Sequence, residues 1–283
     1  MEKIISLHNH TGEGGYEKGG SASKYTLPSY KELIDTLLKH NIHIAAITDH
    51  DYDGAIDDIL DNDHFEYEIL NLDNRGVKVI QEGKADLYLL RGVEKVRPCH
   101  DLIIGHNESL GITPYQEDDV DGLADIISEG INGGGFSGVV HPFNRPFGGA
   151  TEDQLTKLIK KGVVDFIEGW NAQNTLIWSK YNEMSKKFAR DHNIPAVATS
   201  DSHTLRDIPK GYITIDDKDL DFSSGNSLVS SLKRNIKANN FKNHEGNNRF
   251  QLLAIMYYQP FSYIVSEKGR RAIPEMLSRF SRK

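Results

Sequence analysis

Cysteine is nearly absent from this chain, which has one, Cys99, among 283 residues. A single cysteine excludes an internal disulfide, and with it the framework of a small disulfide-rich secreted domain, so we expect a cytoplasmic protein. Long apolar runs are also absent, and because a membrane-spanning helix needs about 20 apolar residues, no membrane span is expected. Met1, Glu2 and Lys3 lead directly into a strand pattern rather than into the apolar region of a signal peptide.

Positive charge is in deficit, since 33 Lys and Arg face 41 Asp and Glu and the formal net charge is -8. This balance is unfavourable for an extended nucleic-acid-binding surface. It is compatible with a smaller anionic partner, such as a small phosphorylated substrate or a short oligonucleotide, because bound divalent ions reverse the local sign of a site. The sequence gives no indication of oligomeric state.

Short apolar runs alternate with amphipathic segments over the first two thirds of the chain. The runs 42–48 and 87–93 predict strands, and the segments 118–131 and 175–192 predict helices between further strands. Alternation of this kind is typical of βαβ units and of a mostly parallel sheet. About seven such strands favour a closed α/β barrel, a fold that places its functional site at the carboxyl ends of the strands.

The pattern changes after residue 215. Residues 228–241 predict a basic amphipathic helix, and several arginines follow toward residue 283. We therefore divide the chain into a barrel over residues 1–215 and a mostly helical C-terminal extension over 216–283. The extension is expected to pack on the barrel, and binding of a partner is the alternative.

For the acidic, poorly patterned stretch 53–74 we expect helix and loop.

Metal-ligand side chains follow almost every predicted strand. His8 and His10 leave the first strand two residues apart, so both point to the same face and can chelate one ion. The other candidates at strand ends are His50, Glu94, His100 or His106, His141, Asp201 and His203. Eight ligands exceed what one tetrahedral ion needs, so the pattern predicts two or three divalent ions. Glu94 is the natural carboxylate to bridge a pair of ions.

Five short motifs, taken in order, resemble those of the polymerase and histidinol phosphatase (PHP) superfamily. They are His8-Asn9-His10-Thr11, Ile47-Thr48-Asp49-His50-Asp51, Gly92-Val93-Glu94, His141-Pro142 and Ser200-Asp201-Ser202-His203. The resemblance covers about residues 1 to 205, and it rests on the ordered set because each motif alone is unspecific. It implies a distorted (βα)7 TIM-like barrel of PHP type with a two- or three-metal site that hydrolyses phosphate esters.

The resemblance also implies a division of the ligands among ions. One ion is expected to be held by His8, His10, Glu94 and Asp201. Glu94 is expected to bridge to a second ion, held also by His141 and a histidine of the 100–106 strand, and His50 and His203 to hold a third. Glu94, Asp201 and His203 are the expected catalytic residues. Zinc, manganese and iron all suit such ligands, so the metal identity stays open.

The choice between His100 and His106 depends on the direction of their strand. The segment from Glu94 to His100 is too short for a parallel crossover, so a hairpin is expected, with the new strand beginning near Glu94. At about 3.3 Å per residue, His106 then lies roughly 20 Å farther along. We favour His100 as the ligand and keep His106 as the alternative, because some relatives use the far end of this strand.

The sequence departs from the PHP pattern at two places. Ser6 stands where relatives often have Asp. Relatives also have an Asp or His ligand of the third metal seven or eight residues after the first histidine, where this chain has Gly15 and Tyr16. Glu13 or Glu17 can substitute, or the third site is weak or empty. The expectation of two ions is not affected.

Substrate phosphate needs cationic or polar partners. Arg145, four residues after His141, is the first candidate, because relatives have an arginine close after this His-Pro that contacts phosphate. Arg97 and Asn171 are the other substrate-binding candidates. The alternatives are surface positions for both arginines and a helix-capping role for Asn171.

The expected activity is hydrolysis of a phosphate ester by a metal-activated water. The substrate class is either a monoester, on a nucleotide or small metabolite, or a short oligonucleotide attacked as by an exonuclease. A non-catalytic, metal-stabilised scaffold and a metal-dependent hydrolase of a non-phosphate substrate are the alternatives. Convergence of Arg145, Arg97 and Lys18 on the metals would favour phosphate.

Overall fold

The chain folds around a mixed sheet that curls into a nearly closed barrel in the computed structural model. The structure describes residues 1–14, 27–62, 65–110, 119–174 and 178–246. The strands of this part are β1 (Glu2–Ser6), β2 (Ile44–Ile47), β3 (Glu68–Asn71), β4 (Gly76–Ile80), β5 (Leu87–Lys95), β6 (Asp101–Ile104), β7 (Phe136–Val139), β8 (Phe166–Asn171), β9 (Ala196–Thr199), β10 (Gly211–Asp216) and β11 (Lys242–Glu245). The helices are α1 (Tyr30–Lys39), α2 (Ala55–Leu60), α3 (Val120–Asn132), α4 (Glu152–Lys160), α5 (Ser179–His192) and α6 (Gly225–Lys237).

The strand order β11-β10-β1-β2-β5-β6-β7-β8-β9 confirms the predicted TIM-like barrel of PHP type. Parallel pairing joins β1 to β2, β2 to β5, β7 to β8 and β8 to β9. β6 runs antiparallel to both neighbours, as the short connection after Glu94 predicts. The side chain of Asn243 joins β11 to β9 at the two ends of this strand order. Its Oδ1 accepts a hydrogen bond from the Ala198 N–H at 2.7 Å, and its Nδ2 donates to the Ala196 carbonyl at 2.8 Å.

The sheet has more antiparallel pairs than the alternation of strands and helices predicts. β1 pairs antiparallel with β10, with Glu2 opposite Asp216 and Ile5 opposite Ile213. The stretch expected to be helix and loop contains α2 but also β3, which forms a hairpin with β4 on the outer side of β5. β3 was missed because its side chains are largely exposed and its short sequence has little apolar alternation.

α6 closes one end of the barrel. Leu228, Val229 and Leu232 belong to the same buried cluster as barrel residues of β1, β2, β5 and β6. A Cβ on Gly105 would lie 2.6 Å from Val229, so α6 packs where β6 ends. This end is opposite to His100, which precedes β6. The boundary at residue 215 stays a prediction, and residues 247–283 of the expected extension lie outside the described part.

The outer helices bury one apolar face each against the sheet. α1 begins at the N-cap Ser29, whose side chain accepts from the Glu32 N–H while Glu32 reaches back, so the first turn is capped from both sides. Leu33, Ile34 and Leu37 form its fully buried stripe. Within the described ranges, no helix combines the length and apolar character that crossing a membrane requires.

Alanine at Gly211 is expected to destabilise the barrel. A Cβ there would lie 1.9 Å from the Thr199 carbonyl oxygen, so β10 and β9 would have to separate. Overpacking of this kind costs about 1–3 kcal/mol. Urea denaturation followed by circular dichroism measures the loss. An unchanged midpoint would show that β10 can move away from Thr199 without cost.

Candidate metal centre

The predicted ligands meet because backbone pairing continues past the strand ends. The His10 N–H donates to the Ser202 carbonyl at 3.0 Å, and the Ser202 N–H donates to the His8 carbonyl at 3.3 Å. On the other side, the Glu94 N–H donates to the Asp49 carbonyl at 3.2 Å. The loops after β1, β2 and β9 and the end of β5 are thereby held in register, and their side chains enter one buried space.

Glu94 lies in the middle of this space and is 1 % exposed. Its two oxygens face different imidazoles. Oε2 lies 2.9, 3.0 and 3.2 Å from the Nε2 atoms of His8, His10 and His50. Oε1 lies 2.5 Å from His100 Nδ1 and 3.3 Å from His141 Nε2. A carboxylate placed between two sets of imidazole nitrogens has the arrangement needed to bridge two ions.

Asp201 completes the first set. Its Oδ1 lies 3.6 Å from His8 Nε2, 3.5 Å from His10 Nε2 and 3.3 Å from His203 Nδ1. Three compact groups of ligand side chains therefore exist in the described residues. They are His8, His10 and Asp201; His50, Glu94 and His100; and His10, His50 and His203. These groups contain seven of the eight predicted ligands, and His141 joins through Glu94.

The spacing of these atoms fits a metal site. Ligand atoms bonded at about 2.1 Å to a shared ion lie about 3.0–3.4 Å apart. The His8 and His10 Nε2 atoms are 3.0 Å apart, and their distances to the carboxylates of Glu94 and Asp201 fall between 2.9 and 3.6 Å. Among the described residues, no hydrogen-bond partner exists for the buried His141 Nδ1. The donor set suits transition-metal ions, whose identity the ligands leave open.

Glu168 orients two of the histidines through hydrogen bonds. It was not predicted as a site residue from the sequence. Its Oε1 accepts from His8 Nδ1 at 2.7 Å and from the Thr199 hydroxyl. Its Oε2 accepts from the His141 N–H at 2.7 Å. The bond to His8 fixes the tautomer that leaves Nε2 facing the cluster, as carboxylates behind metal-bound histidines do. The signal was available, because Glu168 is an acidic residue at the end of an apolar run, as Glu94 is.

Asn171 holds the carboxylates of Glu168 and Asp201 in place through hydrogen bonds. Its Nδ2 donates to Glu168 Oε2 at 2.8 Å and to Asp201 Oδ2 at 3.0 Å, and its side chain has no solvent exposure. Asn182 caps its backbone on the other side, accepting from the Asn171 N–H at 3.1 Å. The structure therefore places Asn171 behind the ligands, and contact with substrate stays a prediction.

The two strand-end histidines of β6 are separated. His100 lies against Glu94 at 2.5 Å, whereas His106 follows the far end of the strand and its Nδ1 pairs with the Glu108 carbonyl at 2.7 Å. The position of His100 is the one that the hairpin argument favours. A ligand role for His106 would need a different arrangement of β6.

The arginines expected to hold phosphate are both exposed. Arg145 is exposed on the turn after His141, where it donates to the Gly149 carbonyl at 3.3 Å and to Gln154 Oε1 at 3.2 Å. The same turn packs on the centre, because a Cβ on Gly148 would lie 2.2 Å from His100 Nε2. Arg97 is exposed three residues after Glu94. Their substrate roles stay predictions, and Lys18 lies outside the described residues.

The third metal position is described in part. His10, His50 and His203 lie together, with ring centroids 4.5 Å apart for His10 and His50 and 4.4 Å apart for His10 and His203. Gly15, Tyr16 and Glu17 lie outside the described residues. Glu13 Oε2 accepts the N–H of Tyr30 at the start of α1 at 2.9 Å, so in this structure it caps a helix.

Two neighbouring aspartates have structural contacts. Asp49 accepts from the Thr11 N–H at 2.6 Å and from the Thr11 hydroxyl at 2.7 Å, which ties the loop after β1 to the end of β2. Asp51 Oδ1 lies 4.0 Å from Nζ of the buried Lys95.

Two of the predicted ligands have left-handed backbone conformations, since Asp201 and His141 have φ of 48° and 29°. Left-handed backbone is uncommon outside glycine and clusters at functional sites.

The charges of the cluster shift one another's pKa. Burial disfavours a charged His8, but the carboxylates of Asp201, Glu94 and Glu168 outweigh it and raise the pKa of His8 well above its usual value. Burial also disfavours the charged form of Glu94 and therefore acts to raise its pKa. The surrounding imidazoles outweigh this effect and hold the pKa of Glu94 well below its usual value. Burial lowers the pKa of His100 to about 4 despite Glu94. The pKa of His203, lowered by burial, is raised on balance by Asp201.

Metal uptake is expected to release protons and to strengthen as the pH rises. A histidine with a raised pKa, as for His8 and His203, keeps its proton to a higher pH, and an ion binds only the neutral ring. The apparent affinity therefore rises with pH until the raised pKa values are passed. Calorimetric titration of the chelator-treated protein with Zn²⁺, in buffers of different ionisation enthalpy, counts the protons. Uptake without proton release would contradict the expectation.

Comparison with known proteins supports the expected resemblance. Residues 179–235, which span α5 to α6, match the PHP_C family model, described as PHP-associated. No curated protein matches this chain. A two-domain protein from Bacteroides vulgatus, described as containing a predicted PHP-like metal-dependent phosphoesterase, has a similar structure with a TM-score of 0.56. It is 15 % identical, over 91 % of this chain and 70 % of that one.

Two further structures are similar. PsfC from Pseudomonas syringae matches with a TM-score of 0.58 and 13 % identity, over 90 % of this chain and 96 % of that one. Endonuclease Q, in complex with a 27-mer duplex that has an abasic lesion at the active site, matches with a TM-score of 0.56 and 15 % identity. The match covers 84 % of this chain and 57 % of Endonuclease Q, so this chain spans little more than half of that protein. At these identities the likeness shows the fold.

Proposed function

We propose that this chain, which has the barrel fold of the PHP-like phosphoesterases and a PHP-associated segment over residues 179–235, is a metal-dependent phosphoesterase. Its substrate is a phosphate ester, either a monoester on a nucleotide or small metabolite or the terminal diester of a short oligonucleotide. Two divalent ions, with a third at His50 and His203, are the proposed cofactors.

One observation carries this proposal. The two oxygens of Glu94 face separate sets of histidines, three at Oε2 and two at Oε1. Paired ions bridged by a carboxylate supply a water of lowered pKa and a clamp for the attacking and leaving oxygens of a phosphoryl group. A site for a single structural ion does not need two oxygens of one carboxylate directed at five imidazoles.

The side chains around the ligands have distinct proposed roles. Glu168 and Asn171 fix the orientation of His8 and Asp201, so the ligand atoms are preorganised before substrate arrives. His203, whose side chain is 40 % exposed and whose Nδ1 lies 3.3 Å from Asp201, is the proposed catalytic ligand on the solvent side of the centre. Arg145 and Arg97, both exposed, are the proposed phosphate partners.

Elemental analysis of the purified protein, combined with hydrolysis of p-nitrophenyl phosphate and bis-p-nitrophenyl phosphate, tests the proposal. We expect two or more metals per chain and turnover that is lost on chelation and recovered on adding back Zn²⁺, Mn²⁺ or Fe²⁺. Faster monoester cleavage would indicate a phosphatase, and faster diester cleavage a nuclease. The variant Arg145→Gln is expected to raise KM more than it lowers kcat, because it removes a substrate contact rather than a ligand.

Two outcomes would redirect the assignment. Bound metal without turnover on either ester would favour the scaffold or a hydrolase of a non-phosphate substrate. Absence of bound metal, with none taken up on addition, would contradict the metal centre itself.

A further inference from the structure

The loop after β8 contacts the metal centre through Gln173, a half-buried residue that has no part in the function proposed above. Its Nε2 donates to the Asp201 carbonyl at 3.0 Å. Its backbone N–H donates to Asn171 Oδ1 at 2.8 Å, which directs the other end of that amide, Nδ2, toward Asp201 Oδ2 at 3.0 Å. Gln173 therefore acts on Asp201 at two points, on the main chain directly and on the carboxylate through Asn171.

The main chain at Asp201 depends on contacts from its surroundings. Its φ of 48° is a left-handed conformation, which is uncommon outside glycine and persists only where neighbouring groups hold it. The following residue is held by the loop after β1, since the Ser202 N–H donates to the His8 carbonyl at 3.3 Å. The hydrogen bond from Gln173 acts on the peptide that joins Asp201 to Ser202. It therefore helps to fix the direction in which the Asp201 carboxylate leaves the backbone.

The same carbonyl orients His203. His203 Nδ1 lies 3.1 Å from the Asp201 carbonyl oxygen. A carbonyl oxygen only accepts hydrogen bonds, so Nδ1 bears the proton and Nε2 is the nitrogen left for an ion. The oxygen has two lone pairs, enough to accept from Gln173 and His203 together. The amide of Gln173 thus holds the oxygen against which the His203 ring is oriented.

The contacts of Gln173 lie on one side of the centre. Asp201 Oδ1 lies within 3.6 Å of His8, His10 and His203, which belong with Glu94 Oε2 to one part of the ligand set. The other part, at Glu94 Oε1, has its histidines on the segments before β6 and after β7. Loss of the Gln173 amide is therefore expected to weaken the ions that Asp201 and His203 hold and to spare the ion at Glu94 Oε1.

We infer that Gln173 is a positioning residue for Asp201 and His203, which it fixes through the Asp201 carbonyl before an ion is bound. The inference rests on the proposed function, because it assigns Gln173 to the metal centre that this function requires. Hydrogen bonds to the groups that hold metal ligands typically contribute about 10–100-fold to metal affinity.

Zn²⁺ binding by the chelator-treated full chain tests the inference in the variant Gln173→Met. Methionine has nearly the length of glutamine but no N–H group, so the change removes the bond to Asp201 and keeps most of the packing. Competition with a chromogenic chelator measures the affinities. One Zn²⁺ per chain is expected to bind as tightly as in the wild type, and the remaining Zn²⁺ about tenfold or more weakly.

Gln81→Met is the matched control, because Gln81 is also a half-buried glutamine and follows β4. It is expected to leave every Zn²⁺ affinity unchanged. Wild-type affinities in Gln173→Met, or an equal loss at all ions, would overturn the inference. So would a lowered urea midpoint of the metal-free variant whose folded fraction binds Zn²⁺ as the wild type does, since that is the result of a merely structural role.

The same measurements separate this inference from the proposed function. A wild-type protein that binds Zn²⁺ but hydrolyses neither ester would contradict the phosphoesterase, while a selective loss of Zn²⁺ affinity in Gln173→Met would still support the positioning role. A wild-type protein that takes up no Zn²⁺ would overturn both.

Discussion

Replacing Glu94 with Gln is expected to abolish both metal loading and ester hydrolysis. The amide keeps the size of the side chain but has a single oxygen and a donor group, so it cannot face His100 on one side and His8 on the other as an anion. Loss of the bridge removes several kcal/mol of transition-state stabilisation. At about 1.4 kcal/mol per tenfold change in rate, turnover should fall by about 10³ or more.

Metal content and kcat should be measured on the same preparation of this variant. Glu152→Gln is the matched control, because Glu152 is an exposed residue in the first turn of α4 and has no contact with the centre. The fold of Glu94→Gln is expected to persist, because the loss of the negative charge of Glu94 is accompanied by the loss of the positive ions that it would bind. A variant that retains two metals and more than a tenth of wild-type turnover would contradict the bridging role.

Replacing Glu168 with Gln is expected to weaken metal binding without removing the chemistry. The Glu168 carboxylate accepts from His8 Nδ1, from the His141 N–H, and from the side chains of Asn171 and Thr199. A glutamine amide has one acceptor oxygen, so its NH₂ group would face at least one of these donors. Changes behind a metal-bound histidine typically cost about 10–100-fold in metal affinity.

The readout for Glu168→Gln separates positioning from folding. Metal affinity, measured by competition with a chromogenic chelator, should fall, while kcat at saturating metal should recover to within about tenfold of wild type, because the ligands themselves are intact. A purely structural role would instead lower the urea midpoint and leave the affinity of the remaining folded protein unchanged.

The strand-end pattern was sufficient to predict which side chains meet. Successive apolar runs end at His8, His50 and Asp201. These side chains meet if the carboxyl ends of their strands lie at one edge of the sheet, and a barrel provides that edge. The direction of β6 was also predictable, because the five residues between Glu94 and His100 are too few for a crossover. In the structure these two side chains are 2.5 Å apart.

Other features depend on contacts that the sequence does not specify. The amphipathic pattern of α6 indicates a buried face but not its partner, which is the interior of the barrel end. Asn171 follows a strand and carries an amide, a combination equally suited to a cap, a substrate contact or the brace that it forms with Asp201. The division of the Glu94 oxygens between two sets of histidines depends on side-chain rotamers and is visible only in three dimensions.

The pairing of β1 between β2 and β10 has a consequence for how the chain is made. β1 can pair with β2 as soon as Ile44 is synthesised, but its other edge waits for β10, about 210 residues after Ser6. At about 5–20 residues per second, that edge is open for roughly 10–40 s on the ribosome. His8 and His10, which follow β1, therefore gain Asp201 and His203 only near the end of that interval. An ion captured earlier would have an incomplete set of ligands.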